Sequence, residues 1–161
     1  MPGFENSAGI GVYNYYGARD TGGSIGVETS DQSVHRLSIA FTGASLNSGF
    51  LPPVVFPKGA HPLRYTLRVD EAFNIGGTSP TVIFGGTAPA TDGIVLTEAE
   101  LEAVGTKVPA STGTGTWSVT SATGPLTAQK ITKALGGTSP TVATNVGKAT
   151  LTVEFVNKTK V

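Results

Sequence analysis

The chain has 161 residues, 11 basic and 11 acidic side chains, a formal net charge of zero and no cysteine. The missing thiols exclude disulfides, thiolate metal centres and cysteine nucleophiles, and neutrality without a Lys/Arg cluster argues against a nucleic-acid partner. Charged residues make up 14% of the chain against about 25% in ordinary domains, so the surface must be built of Thr, Ser, Asn and Gly and is weakly protected against association.

Residues 1–23 carry neither a 3.6-residue nor a 2-residue hydrophobic period, yet Phe4, Tyr13, Tyr15 and Tyr16 make them too aromatic for a plain flexible tail. The reading is an extended N-terminal arm that orders on a partner with these aromatics as anchors; the alternative is an edge strand of the same domain. The start "MPGFENSAGI" has no basic region followed by an apolar one, so no secretory signal is expected. No window reaches the about 18 uninterrupted apolar residues of a spanning helix, so no membrane partner is expected either. Residues 24–161 are expected to form a single β-sandwich domain.

Strand patterns dominate from there. "HRLSIAF" sets Leu37, Ile39 and Phe41 on one face and Arg36, Ser38 and Ala40 on the other. "FLPPVVFPKGAHP" is apolar but holds Pro52, Pro53, Pro57 and Pro62, which suit a loop or an exposed edge and bar a central strand. "PLRYTLRVDEAF" alternates Leu63, Tyr65, Leu67 and Val69 with Arg64, Thr66, Arg68 and Asp70, giving one buried and one wet face. "TVIF" at 81–84 and "TWSVT" at 116–120 read as short strands. "ATLTVEFVN" at 149–157 points Leu151, Val153 and Phe155 inward and Thr150, Thr152 and Glu154 outward.

One helix is expected in "TEAELEAVG", with Thr97 as N-cap, Glu100 closing a capping box, Gly105 as the stop, and Leu101 and Val104 docking it. A second short helix is expected at 127–135, where Ile131 and Leu135 stand four apart. The heptapeptide GGTSPTV occurs twice, at residues 76–82 and 136–142. It lacks the Lys and the spacing of a phosphate-cradling loop. Gly-Gly permits positive φ and Ser-Pro fixes a bend, so each copy reads as a turn feeding a strand. Short strands punctuated by Gly and Pro define an all-β fold: an antiparallel β-sandwich or jelly-roll-like barrel with one or two short helices.

Residues able to do chemistry are sparse. His35 and His61 have no metal-binding spacing, and no Gly-x-Ser-x-Gly elbow supports a triad. Asp92-Gly93 is an ordinary turn signal, and Glu98, Glu100 and Glu102 are explained by helix capping. No catalytic residue, cofactor or metal is therefore expected. Arg64 and Arg68 share the polar face of one strand and suit a subunit contact as well as a solvated face. Trp117, the only Trp, fits the core or rim better than a sugar-stacking platform.

The runs "YYGARDTGGSIGVE", "FLPPVVFPKGA", "LRVDEAFNIGGTSPTV", "GTAPATDGIVLTEAELEAVGTK" and "GKATLTVEF" together resemble the decoration or cement proteins of tailed-bacteriophage heads, over roughly residues 15–156. That resemblance implies a non-enzymatic virion protein on the outer capsid surface, made in the host cytoplasm. Its partners would be the major capsid protein and copies of itself, as a trimer or dimer on a symmetry axis. Phe4, Tyr13, Tyr15, Tyr16, Arg19, Arg64 and Arg68 are the expected capsid or subunit contacts. The competing readings are a tail or fibre component and a carbohydrate-binding β-sandwich module.

Overall fold

The computed structural model describes residues 34–48, 51, 53–87, 89, 91–120 and 125–157. The expected arm at 1–23, with Phe4, Tyr13, Tyr15, Tyr16 and Arg19, lies outside the described residues, as does the boundary placed at residue 24.

In chain order the elements are β1 (Val34–Thr42), α1 (Gly43–Ser48), β2 (Val55–Phe56), β3 (Ala60–Glu71), β4 (Ile75–Gly85), β5 (Gly93–Thr97), α2 (Glu98–Leu101), β6 (Gly105–Lys107), a 3-10 turn (Gly115–Trp117), β7 (Gln129–Lys130), β8 (Thr132–Val142) and β9 (Lys148–Asn157). They form a four-stranded sheet in the order β1-β9-β3-β6, a three-stranded sheet β5-β4-β8 and a two-stranded ribbon β2-β7. Every pairing is antiparallel. The fold is thus mostly β, with antiparallel sheets packed together and short helices.

One apolar cluster joins the two larger sheets: Ile39 and Phe41 from β1, Leu67 and Val69 from β3, and Leu151 and Val153 from β9 meet Val82 and Phe84 of β4 and Ile94 and Leu96 of β5. Phe41 is the hinge of this packing, with its ring centroid 5.5 Å from Phe73 and 4.8 Å from Phe84. Period-two alternation predicts these inward positions well, with one exception. Leu63 was expected inside and is 48% exposed, because the β3–β9 register shifts between Pro62 and Arg64 and the irregularity takes Leu63 out of the alternation. His61 and Pro62, read as part of a turn or edge, are buried residues of β3, which is a central strand; Pro62 sits next to that irregularity, where a missing N–H is tolerated.

Several other expectations are corrected. Residues 127–135 form β7 and the start of β8, not a helix; a separation of four residues returns to the same face in a strand as well as in a helix. Residues 116–120 are not a strand: Trp117 ends the 3-10 turn. The predicted helix exists as α2, preceded by Thr97 in extended geometry, and it buries Leu101. The Thr97 hydroxyl donates to Glu100 Oε2 at 3.0 Å and makes no side-chain cap bond to the backbone. Val104 is 64% exposed and docks nothing, since Gly105, at φ 129, already opens β6. Helix α1 was not expected. Its start is fixed by reciprocal bonds, the Ser45 amide to Thr42 Oγ1 at 3.2 Å and the Thr42 amide to Ser45 Oγ at 2.8 Å, a capping box closed by Ser in place of Glu or Gln.

The two GGTSPTV copies are not turns. They lie inside β4 and β8 and pair with each other, with Gly76 opposite Thr141, Thr78 opposite Thr138 and Thr81 opposite Gly136. Register shifts flank Thr78, and Ser79 and Ser139 adopt the same left-handed φ of 50° and 51°. The local geometry is that of two identical bulged strands related by a two-fold axis between Thr78 and Thr138, which accounts for the identity of the two sequences.

Candidate functional site

The outer face of the four-stranded sheet is the surface on which the described candidates meet. Cross-strand registers arrange it in rows: Arg36, Glu154 and Arg64; Ser38, Thr152 and Thr66; Ala40, Thr150 and Arg68; and, at the far end, Thr42, Lys148 and Glu71. These side chains point outward because their neighbours in sequence fill the core, as alternation requires. The two middle rows are neutral and mostly hydroxyl-bearing except for Arg68, and the end rows carry the other charges. Beside Ala40 and Thr42, an open pocket of ≈ 290 Å³ is floored by Ala149 and Thr150 and walled by Ser45 of α1.

Arg64 and Arg68 therefore do share one exposed face, as their spacing predicted. Neither is a bare cation. Arg64 Nη2 donates to both Glu154 oxygens, at 3.0 and 2.9 Å, while Arg36 Nε lies 3.2 Å from Glu154 Oε2. Arg68 Nε donates to Asp70 Oδ1 at 2.7 Å. Arg36 and Glu154 were not singled out from sequence. Alternation put them on outer faces, but only the strand order, with β9 between β1 and β3, brings them to Arg64.

Hydrogen bonding from Arg64, aided by the positive charges of Arg64 and Arg36, holds the Glu154 carboxyl below its ordinary range. A depressed carboxylate stabilises the fold fully above its unfolded value and loses that contribution as pH falls through the folded one. Glu154→Gln is accordingly expected to melt with a shallower loss of Tm on acidification below about pH 4.3 than the natural chain. Parallel Tm-against-pH curves for the two would contradict the coupling.

The remaining candidates are structural. Trp117 is fully buried, its ring stacked on Phe56 at 4.6 Å and 25°, so it offers no sugar-stacking platform. The Tyr65 hydroxyl donates to the Trp117 carbonyl oxygen. Burial, with the negative charge of Asp92, pushes the Tyr65 phenol well above its usual range. Asp92 accepts from Thr116 Oγ1 at 3.1 Å beside the turn into β5. His35 stacks on Phe155 at 5.6 Å, and His61 is buried in β3. Among the described residues no group of three or more His, Cys, Asp or Glu is placed to hold a metal ion, and no helix is long and apolar enough to cross a membrane.

These features define the class: an antiparallel all-β sandwich in which, among the described residues, one sheet face carries mostly short polar side chains. No protein-family model, no curated protein and no solved structure matches the chain.

Proposed function

We propose that this chain is a non-enzymatic structural protein of a tailed-phage virion, one that decorates the outside of the head and cements neighbouring major capsid subunits. The observation that carries the reading is the outer face of the β1-β9-β3-β6 sheet. Its central side chains are mostly Ser, Thr and Ala, and each of its arginines lies against a carboxylate of the same chain, with Arg36 and Arg64 sharing Glu154. A neutral face of short side chains can be covered by a protein partner without leaving unpaired charge buried, the main penalty of polar interfaces. Arg64 and Arg68 keep unused N–H donors for carbonyls or carboxylates of that partner. A module that engages two capsid subunits at once makes its second contact intramolecularly, which raises avidity without new chemistry. The sequence resemblance to head decoration proteins points the same way.

The test uses heads of the encoding phage assembled without this chain. Purified protein is expected to co-sediment saturably with them, to add density outside the shell, and to raise their resistance to heat. Deleting residues 1–20 is expected to leave the domain folded and to weaken head binding at least tenfold, about 1.4 kcal/mol. Failure to bind at about 10 μM, weaker than roughly −7 kcal/mol, would end the cement reading.

A further inference from the structure

Each sheet edge presents unpaired backbone N–H and C=O groups, and proteins that stay apart protect such edges by shortness, bulges, proline or a covering segment. Three of the four edges of the two larger sheets are protected. Strand β6 is only three residues long. Strand β8 is interrupted by register shifts, by Ser139 at φ 51° and by Pro140. On β5, the Gly93 amide donates to Thr114 Oγ1 at 3.1 Å and its carbonyl accepts the Thr114 amide at 3.0 Å.

Strand β1 differs. It runs nine residues, VHRLSIAFT, in an unbroken register with β9, without proline or bulge. Among the described residues no strand pairs with its other edge. We infer that this edge is a self-association surface, on which β1 of a second copy pairs antiparallel about a two-fold axis at Ser38 to make one continuous sheet across a dimer.

The side chains fit that occupant. The register that pairs all nine residues sets Val34 opposite Thr42, Arg36 opposite Ala40 and Ser38 opposite itself on the outer face, and His35 opposite Phe41 and Leu37 opposite Ile39 on the inner one. Residues of equal parity stay opposed, so inward faces inward in both copies. The strand's one arginine meets an alanine, so no like charges oppose, an arrangement that would otherwise be destabilising. Val34, 59% exposed, comes to the end of the strand where the apolar pocket beside Ala40 and Thr42 opens. Isologous contacts of this kind close as a dimer and do not propagate. The neutral outer face would then extend across both copies.

The proposal stands apart from the head reading, and its test contains no heads. Light scattering or sedimentation of the full chain is expected to show a concentration-dependent dimer. Ala40→Arg places a cation opposite the partner's Arg36 in two symmetry-related rows and is expected to weaken dimerisation at least tenfold. Ala40→Glu places a carboxylate there and is expected to keep or tighten it. Both add one charge at the same exposed position, so thermal melting of each separates a folding defect from an interface effect. A monomer at about 100 μM, where association is weaker than roughly −5.5 kcal/mol, would overturn the inference. So would a trimer, or equal dimerisation by the two variants.

Discussion

Replacing Trp117 by alanine is expected to cost the fold about 3–5 kcal/mol, the range for a fully buried large aromatic. That is a large share of the roughly 5–15 kcal/mol that holds a domain together. The expectation rests on position more than on size. Trp117 is fully buried at the end of a single 3-10 turn. Its ring stacks on Phe56, which in turn meets Phe155 of β9 edge-on at 5.6 Å. Removing the indole therefore empties the contact between an irregular segment and the central strand of the larger sheet. A turn that short has no cooperative helix of its own to hold it, so the cavity cannot be absorbed locally.

The Tyr65 hydroxyl bond to the Trp117 carbonyl ties the same segment to β3. Tyr65→Phe is expected to cost less, about 1–3 kcal/mol, because it leaves the buried Trp117 carbonyl without its donor but opens no large cavity. Urea unfolding, read as a midpoint shift at constant slope, separates the two. A Trp117→Ala midpoint close to that of Tyr65→Phe would mean that the indole is not the anchor.

Much of the larger sheet was legible in the sequence. In "HRLSIAF", "PLRYTLRVDEAF" and "ATLTVEFVN" one side of each strand is core and the other is wet, so period two is printed directly in residue type. The outward placement of Arg64 and Arg68 followed from that pattern. Partnership across strands did not. Glu154 is outward by alternation, but its pairing with both Arg36 and Arg64 depends on the last strand inserting between the first and third, and local pattern carries no strand order. The smaller sheet was largely illegible. Strand β8 begins with "TKALGG", whose spacing of apolar residues suits helix and strand alike. Strand β4 opens with Gly-Gly and Ser-Pro, which ordinarily break ladders. Only a second strand with the same irregularities in complementary places makes such a sequence pair, and that is a long-range fact.

Gly137→Ala is the sharpest probe of that paired irregularity, and it is expected to cost about 2–4 kcal/mol, summing left-handed strain and forced backbone displacement. Gly137 sits at φ 98°, and a Cβ there would lie 2.6 Å from the Ser79 carbonyl oxygen and 2.8 Å from that of Thr78, backbone atoms that cannot swing aside. Gly77, at φ 124°, faces the other copy in the same way, with a Cβ 2.9 Å from the Thr138 carbonyl oxygen, so Gly77→Ala is expected to act alike. Ser79→Gly should do little. Relief of a left-handed serine, about 1 kcal/mol, offsets the about 0.5–1 kcal/mol of chain entropy that glycine adds. The part of these costs that comes from the forced backbone displacement follows only if each copy is the other's partner. The pairing itself can be trapped. Thr78 and Thr138 are opposite each other, Cα atoms of opposed antiparallel residues stand about 4.5–5.5 Å apart, and a disulfide spans about 4.4–6.8 Å. The chain has no other thiol, so oxidation of a Thr78→Cys, Thr138→Cys double variant is expected to give one intramolecular crosslink, seen as a mobility shift on a non-reducing gel. Two independent corners of the fold would leave those thiols free, and that result would break the two-fold account of the repeated heptapeptide.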